Sequence, residues 1–125
     1  MNFPAELKYS KEHEWIKIEG DVATVGITDH AQGQLGDIVF VDIQTEGEIL
    51  DKGEVFGAIE AVKTVADVYM PVSGDIIEFN AELESTPDAV NKDPYGAGWM
   101  VKVKMNNTAE ANELLSAEDY KALLA

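Results

Sequence analysis

Cysteine is absent from the 125 residues of this chain. Without it the chain has no disulfide framework, no thiolate nucleophile and no cysteine-ligated metal, so any redox chemistry must come from an attached group. Histidine is scarce: His13 and His30 are the only two, which leaves little material for a metal site or a catalytic triad. Positive charge is scarce as well. Nine Lys and Arg face 24 Asp and Glu, a formal net charge of −15. That argues against nucleic acid or an anionic membrane as partner, because phosphate contacts need a basic surface. No apolar run is long enough to span a bilayer as a helix. The opening residues "MNFPAELKYSKEHEW" carry neither the apolar stretch of a signal peptide nor an arginine-rich presequence. The expectation is a bacterial cytoplasmic protein, or a mitochondrial matrix protein if a presequence has been removed. No G-x-G-x-x-G or other phosphate-cradling glycine loop occurs. A free-standing enzyme is poorly supported.

Hydrophobic residues make up 46% of the chain, enough for a globular domain with its own core. One short motif recurs: glycine, an acid, then a β-branched residue. It stands at Gly20-Asp21-Val22, Gly36-Asp37-Ile38, Gly47-Glu48-Ile49, Gly53-Glu54-Val55 and Gly74-Asp75-Ile76. Glycine accepts the positive φ of a tight turn, and β-branched residues favour the strand that follows. Many short strands joined by turns predict a β-sandwich or barrel. "GWMVKVKM" predicts a further strand, with Trp99, Val101 and Val103 on one face and Met100, Lys102 and Lys104 on the other.

Helices are predicted around this β core. In "TDHAQGQLG", Thr28 or Asp29 caps a short helix that Gly36 ends. In "STPDAVN", Thr86 is the cap and Pro87 the first helical residue. The tail predicts two short helices capped by Thr108 and Ser116, with Leu114, Leu115, Leu123 and Leu124 among the packing residues. The excess of acids reads chiefly as solubility, and more pointedly as steering towards basic partner surfaces. Glu12 and Glu14 read by default as a solvated edge strand, and His30 as a surface or capping residue.

The stretch "VFGAIEAVKTVADVYMPVSG", residues 55–74, is apolar but for few positions, and Lys63 lies inside it. It is too long for one ordinary strand. Two strands, at 55–62 and 65–71, meeting at Lys63-Thr64, put the lysine at a hairpin tip in water. Most exposed lysines are merely solvated. A stiff apolar hairpin presenting a single amine is also what acyl transfer to that amine requires.

"IEAVKTVADVYMPVSGDI" resembles the lipoyl-attachment segment of the glycine cleavage system H proteins. "YSKEHEW", "EGDVATVGITDHAQGQLGDIVFVDI", "KGEVFGAIEAVK", "VNKDPYGAGWM" and "ELLSAEDYKALL" follow in that family's order. Lipoyl domains of 2-oxo-acid dehydrogenases usually place Asp before the lysine, and biotin carriers flank it with Met; here the flanks are Val62 and Thr64. Ala61 and Thr64 depart from the family's frequent Ser and Ala, and both are small.

The resemblance implies a mainly β fold, a barrel-sandwich hybrid of two antiparallel sheets with short peripheral and C-terminal helices. It implies one lipoyl-carrier domain over residues 1–125, of which 107–125 form a helical extension. It implies a non-catalytic carrier with lipoic acid amide-linked to Lys63. Glycine decarboxylase (P protein) loads an aminomethyl group, the tetrahydrofolate-dependent aminomethyltransferase (T protein) removes it, and dihydrolipoyl dehydrogenase (L protein) reoxidises the arm. A lipoyl-attaching enzyme completes the partners, with Glu60 a candidate for its recognition. Glu14 and Asp67, with Glu12 as a third, are candidates to hold the loaded arm's cationic amine. A monomer is expected, since a shuttle must meet several enzymes in turn. Two other readings are a carrier of this fold used mainly to relay lipoate and a plain β-sandwich interaction module.

Overall fold

The computed structural model describes residues 2–125. Among them nine strands form two antiparallel sheets. The larger has the order β1-β2-β3-β9-β8-β5 and the smaller the order β4-β6-β7. The strands are β1 (Lys8–Tyr9), β2 (Glu14–Glu19), β3 (Val22–Ile27), β4 (Ile38–Asp42), β5 (Ile49–Leu50), β6 (Val55–Ala61), β7 (Val65–Tyr69), β8 (Gly74–Phe79) and β9 (Val101–Met105). The expected pair of antiparallel sheets with short helices is the fold observed.

The glycine-acid-β-branched motif works as expected in four of its five places. Gly20, Gly36, Gly47 and Gly53 all have φ between 65° and 90°, and a strand begins two residues after each. Gly74 differs. It lies inside β8, opposite Leu50 and Met105, and its place is fixed by space, since a methyl group there would collide with the Lys104 carbonyl.

The main core lies between the sheets. Ile16, Val25, Ile76, Val101 and Val103 of the larger sheet and Val41, Phe56, Ile59 and Val68 of the smaller are all buried in it. In β9 the alternation holds from Val101 to Met105 but does not extend backwards. Met100 is fully buried and Trp99 half-buried, the reverse of the expected faces. The cause is local: the Asn80 side-chain amide donates to both the Ala97 and Trp99 carbonyls, holding residues 97–99 out of strand geometry.

Three short helices are α1 (Asp29–Leu35), α2 (Ala89–Lys92) and α3 (Ala117–Leu124). Thr28 caps α1, its hydroxyl accepting from Ala31 N–H, and Gly36 ends it. α2 starts later than expected, with Asp88 at the cap position; Thr86 contributes only its carbonyl, which accepts from Ala89 N–H. A 3-10 turn at Thr108–Glu113 is capped by Asn107 rather than Thr108.

α3 builds a second core with the N-terminal segment from Leu7, Tyr9, Trp15, Ala117 and Tyr120. The Tyr9 and Tyr120 rings stack at 4.9 Å. Leu114 packs on the main core, Leu115 and Leu124 on the second. Leu123 instead is 48% exposed, on the outer face of α3. Ser116 caps this helix, its hydroxyl accepting from Asp119 N–H at 3.1 Å. Ser116→Ala therefore lowers stability by about 1 kcal/mol, the usual value of such a cap, measured as a lower chemical denaturation midpoint with an unchanged slope.

Candidate functional site

β6 and β7 form the lysine hairpin, in register from Glu60↔Val65 to Ala58↔Asp67. Ala61 N–H donates to the Thr64 carbonyl at 2.8 Å, so the turn's central residues are Val62 and Lys63, one residue earlier than the expected junction. The apolar run is thereby resolved. Ile59, Ala61 and Val68 point into the core, while Val62, Lys63, Thr64 and Val65 are in water. A second tie holds the tip, from Val62 N–H to the Asp37 carbonyl at 2.9 Å.

The lysine stem crosses the end of α1. A methyl group on Gly36 would come within 3.4 Å of Lys63 Cε and 3.8 Å of its Nζ. Gly36 thus serves twice, turning the chain with φ 79° and leaving room for the lysine. The ion pairs among the described residues are Lys52–Glu113, Lys92–Asp88 and Lys102–Glu78. Lys63 belongs to none of them.

Three clefts adjoin the hairpin; the shallowest, of about 300 Å³, lies along β4 and β6 and is lined by Asp42, Thr45, Val55, Ala58 and Asp67 among others, and the other two lie towards α1 and the N-terminal segment. The nearer, of about 400 Å³, lies between α1 and β7 and is lined by Glu12, His13, Ile27, His30, Leu35 and Asp67 among others. The farther, of about 470 Å³, lies past the end of β7 and is bordered by Ser10, Glu12, Glu14, Tyr69, Lys52 and Leu114 among others. The three candidate acids are therefore not gathered in one place. Glu14 lines the farther cleft, Asp67 stands between the nearer one and the cleft along β4 and β6, and Glu12 borders both the nearer and the farther. Glu12, Asp67 and Glu60 are exposed.

Glu14 is not a solvated edge residue. β2 runs between β1 and β3, and the side chain is 1% exposed. Ser10 Oγ donates to its Oε1 at 2.5 Å and Tyr69 N–H to its Oε2 at 3.3 Å. Burial pushes its pKa up to about 7, against the opposing pull of these two hydrogen bonds, with the Glu12 charge adding to the rise. It is a carboxyl group poised to ionise when a cation arrives.

The histidines are tied into the same region. Their rings lie 5.0 Å apart. His13, held at φ 69°, shares a 2.8 Å hydrogen bond between Nδ1 and the Tyr120 hydroxyl. That hydroxyl also bonds Thr28 Oγ1 at 2.8 Å. Burial, then the neighbouring His30, lowers the His13 pKa. Tyr120 is thus a support of the cleft wall that sequence reasoning missed, and no local pattern marks a partner 107 residues away.

The arrangement has a clear chemical capacity. An unpaired primary amine stands on a stiff turn, in reach of an activated acyl group. A chain attached there has clefts beside it, and the farther one ends on a buried carboxyl suited to a cationic amine.

Comparison with known proteins agrees. The family model described as glycine cleavage H-protein matches residues 7–125. The chain is 62% identical over 124 residues to the glycine cleavage system H protein of Bacteroides fragilis, covering 99% of this chain and 98% of that one. It is 60% identical, with the same coverage, to that of Bacteroides thetaiotaomicron. Its fold matches the crystal structure of a glycine cleavage system H protein from Mycobacterium marinum, with a TM-score of 0.89, 39% identity and 98% of each chain covered.

Proposed function

This chain belongs to the glycine cleavage H-protein family, and from that premise we propose that lipoic acid is joined by an amide to Nζ of Lys63. The chain is a lipoyl carrier of the glycine cleavage system. The observation that carries the Lys63 assignment is its place as a central residue of the hairpin turn, exposed and outside every ion pair. When bound, the lipoyl group supplies the dithiol couple and the sulfur that carries a one-carbon unit, which a chain without cysteine cannot.

The protein's own residues supply placement and charge. The ties at Ala61–Thr64 and Val62–Asp37 hold the attachment point rigid. Lys63 leaves the tip over Gly36, beside the nearer cleft. Asp67 and Glu12 offer carboxylates along its rim, and Glu14 offers a buried one beyond it. Glu60, exposed on the β6 face next to the tip, is a recognition residue for the lipoyl-attaching enzyme. We read the chain as a non-catalytic, monomeric carrier, one domain with 107–125 as a helical extension, working in the bacterial cytoplasm with glycine decarboxylase, aminomethyltransferase and dihydrolipoyl dehydrogenase. No helix of the described residues is long and apolar enough to cross a membrane.

Peptide mapping of the protein from its own host tests the attachment. The lipoyl mass is expected on the peptide containing Lys63 and on no other. A lipoyl group on Lys52, Lys92 or any other lysine overturns the assignment.

A further inference from the structure

The lysine turn rests on one peptide group, and that group is gripped from both sides. Val62, the residue before Lys63, donates its N–H to the Asp37 carbonyl at 2.9 Å. The N–H of the same peptide belongs to Ile38, and it donates to the Asn91 side-chain oxygen at 3.0 Å. A trans peptide is planar, with its N–H and C=O pointing in opposite directions. The two bonds therefore run in line, from Asn91 Oδ1 through the Asp37–Ile38 peptide to Val62. The Asn91 amide nitrogen holds the preceding peptide as well. It donates to the Gly36 carbonyl at 2.8 Å and to Gln32 Oε1 at 3.0 Å. Gly36 is the residue over which the Lys63 stem passes. Asn91 is itself anchored, because it lies on α2 next to the fully buried Val90. Gly98 packs so closely there that a methyl group on it would come within 2.9 Å of the Ala89 carbonyl oxygen and of Val90 Cα.

We infer that Asn91 is a positioning residue for the lipoyl arm: it fixes the peptide on which the turn rests and the corner that the lysine stem crosses, and so sets the direction in which Lys63 leaves the tip. The inference rests on the attachment reading above and adds a residue from another element, α2. The tip has little of its own to fix it. Val62, Lys63, Thr64 and Val65 are in water, and no glycine or asparagine sets the turn. The Ala61–Thr64 bond lies within the hairpin and moves with it, whereas the Val62–Asp37 bond joins the tip to the α1–β4 corner. That corner contains Gly36 at φ 79°. Glycine leaves room for the lysine there, but it also accepts many backbone conformations and restrains the chain weakly. The three Asn91 bonds supply the restraint that the glycine does not. A peptide whose N–H is already hydrogen-bonded is also polarised, which strengthens the bond its carbonyl accepts. Without the Asn91 side chain, Ile38 N–H and the Gly36 carbonyl lose these partners and the plane under Val62 is free to rotate.

The test measures lipoyl attachment to the full chain by its lipoyl-attaching enzyme, together with amide hydrogen exchange. Asn91→Leu keeps the approximate volume and removes all three hydrogen bonds. It is expected to speed exchange of the Val62 amide about tenfold and to raise the KM for the carrier about tenfold, with kcat within about twofold, since a loosened tip must be reordered as it binds. Ser116→Ala, which weakens the fold at the start of α3 and away from this corner, is expected to leave both quantities unchanged. That contrast separates positioning from general stability. Unchanged Val62 exchange, an unchanged KM, or equal shifts in Ser116→Ala overturns the role. Should Asn91→Leu not fold, Asn91→Asp is read in its place. It keeps an oxygen for Ile38 N–H and loses both donations, so smaller shifts of the same sign are expected, and no shift overturns the role. In the wild type, NMR couplings are expected across the Ile38–Asn91 and Val62–Asp37 hydrogen bonds, and the absence of either overturns it. Failure of the attachment reading looks different: no lipoyl group on Lys63 of the wild type, whatever the exchange rate at Val62.

Discussion

Lys63→Arg folds like the wild type, accepts no lipoyl group and supports no glycine cleavage. The two halves of this result are expected together. The side chain is in water at a turn and holds no ion pair, so the swap falls among surface substitutions, which shift stability by less than about 0.5 kcal/mol. Arginine keeps the positive charge and most of the aliphatic stem that crosses Gly36. It does not keep the chemistry. A guanidinium stays protonated at any pH a cell reaches and offers no lone pair to an activated acyl group. Intact-mass spectrometry after incubation with the lipoyl-attaching enzyme reads the first loss, and a melting curve reads the preserved fold. A variant that unfolds shows that Lys63 has a structural role and the tip assignment is wrong. One that folds and still drives turnover places the arm elsewhere.

Glu14→Gln gains stability at high pH and gains none at low pH. The folded pKa is about 7, raised by burial from an ordinary value of 4.5. Below about pH 4.5 the carboxyl is protonated in both folded and unfolded chains, and burial costs little. Between the two values the folded protein holds a proton that the unfolded chain gives up, so stability falls as pH rises. Above about pH 7 both states are ionised and the full penalty is present, on the order of 3 kcal/mol. Glutamine is neutral throughout, and its amide can still accept from Tyr69 N–H and donate to Ser10 Oγ. The variant and wild type should therefore match near pH 4 and diverge up to pH 8, with the variant the more stable. Denaturant midpoints at several pH values measure it; a difference that does not change with pH removes Glu14 as a strained buried acid. The same variant should lose the one-carbon unit from the loaded carrier faster than wild type, because the penalty Glu14 carries is what a bound cation would relieve.

Where strands begin was legible because the signal is local. A glycine at positive φ and the β-branched residue two places later are neighbours in the chain, and four of the five such sites behave alike. The hairpin was legible for the same reason: an apolar run too long for one strand must reverse, and a lysine among such residues belongs at the reversal. Its exact turn was off by one residue, because no glycine or asparagine pins the register there. The caps at Thr28 and Ser116 were local also. Family order along almost the whole chain pointed to the lipoyl role, and the absence of cysteine required the working sulfurs to come from outside the protein.

What the chain order could not show depends on segments far apart in it. Whether Glu14 is wet or buried is decided by Ser10 and by the Tyr69 backbone, 55 residues away. That Glu14 and Asp67 face different clefts follows from β7 carrying Asp67 outwards while the next strand residue but one turns its N–H to Glu14. Tyr120 reaches His13 and Thr28 only because α3 packs back on the N-terminal segment. Residue types and turn signals act over a few residues. Strand register and the burial of a charged group are settled by the free energy of packing distant segments together, which no single stretch of sequence contains.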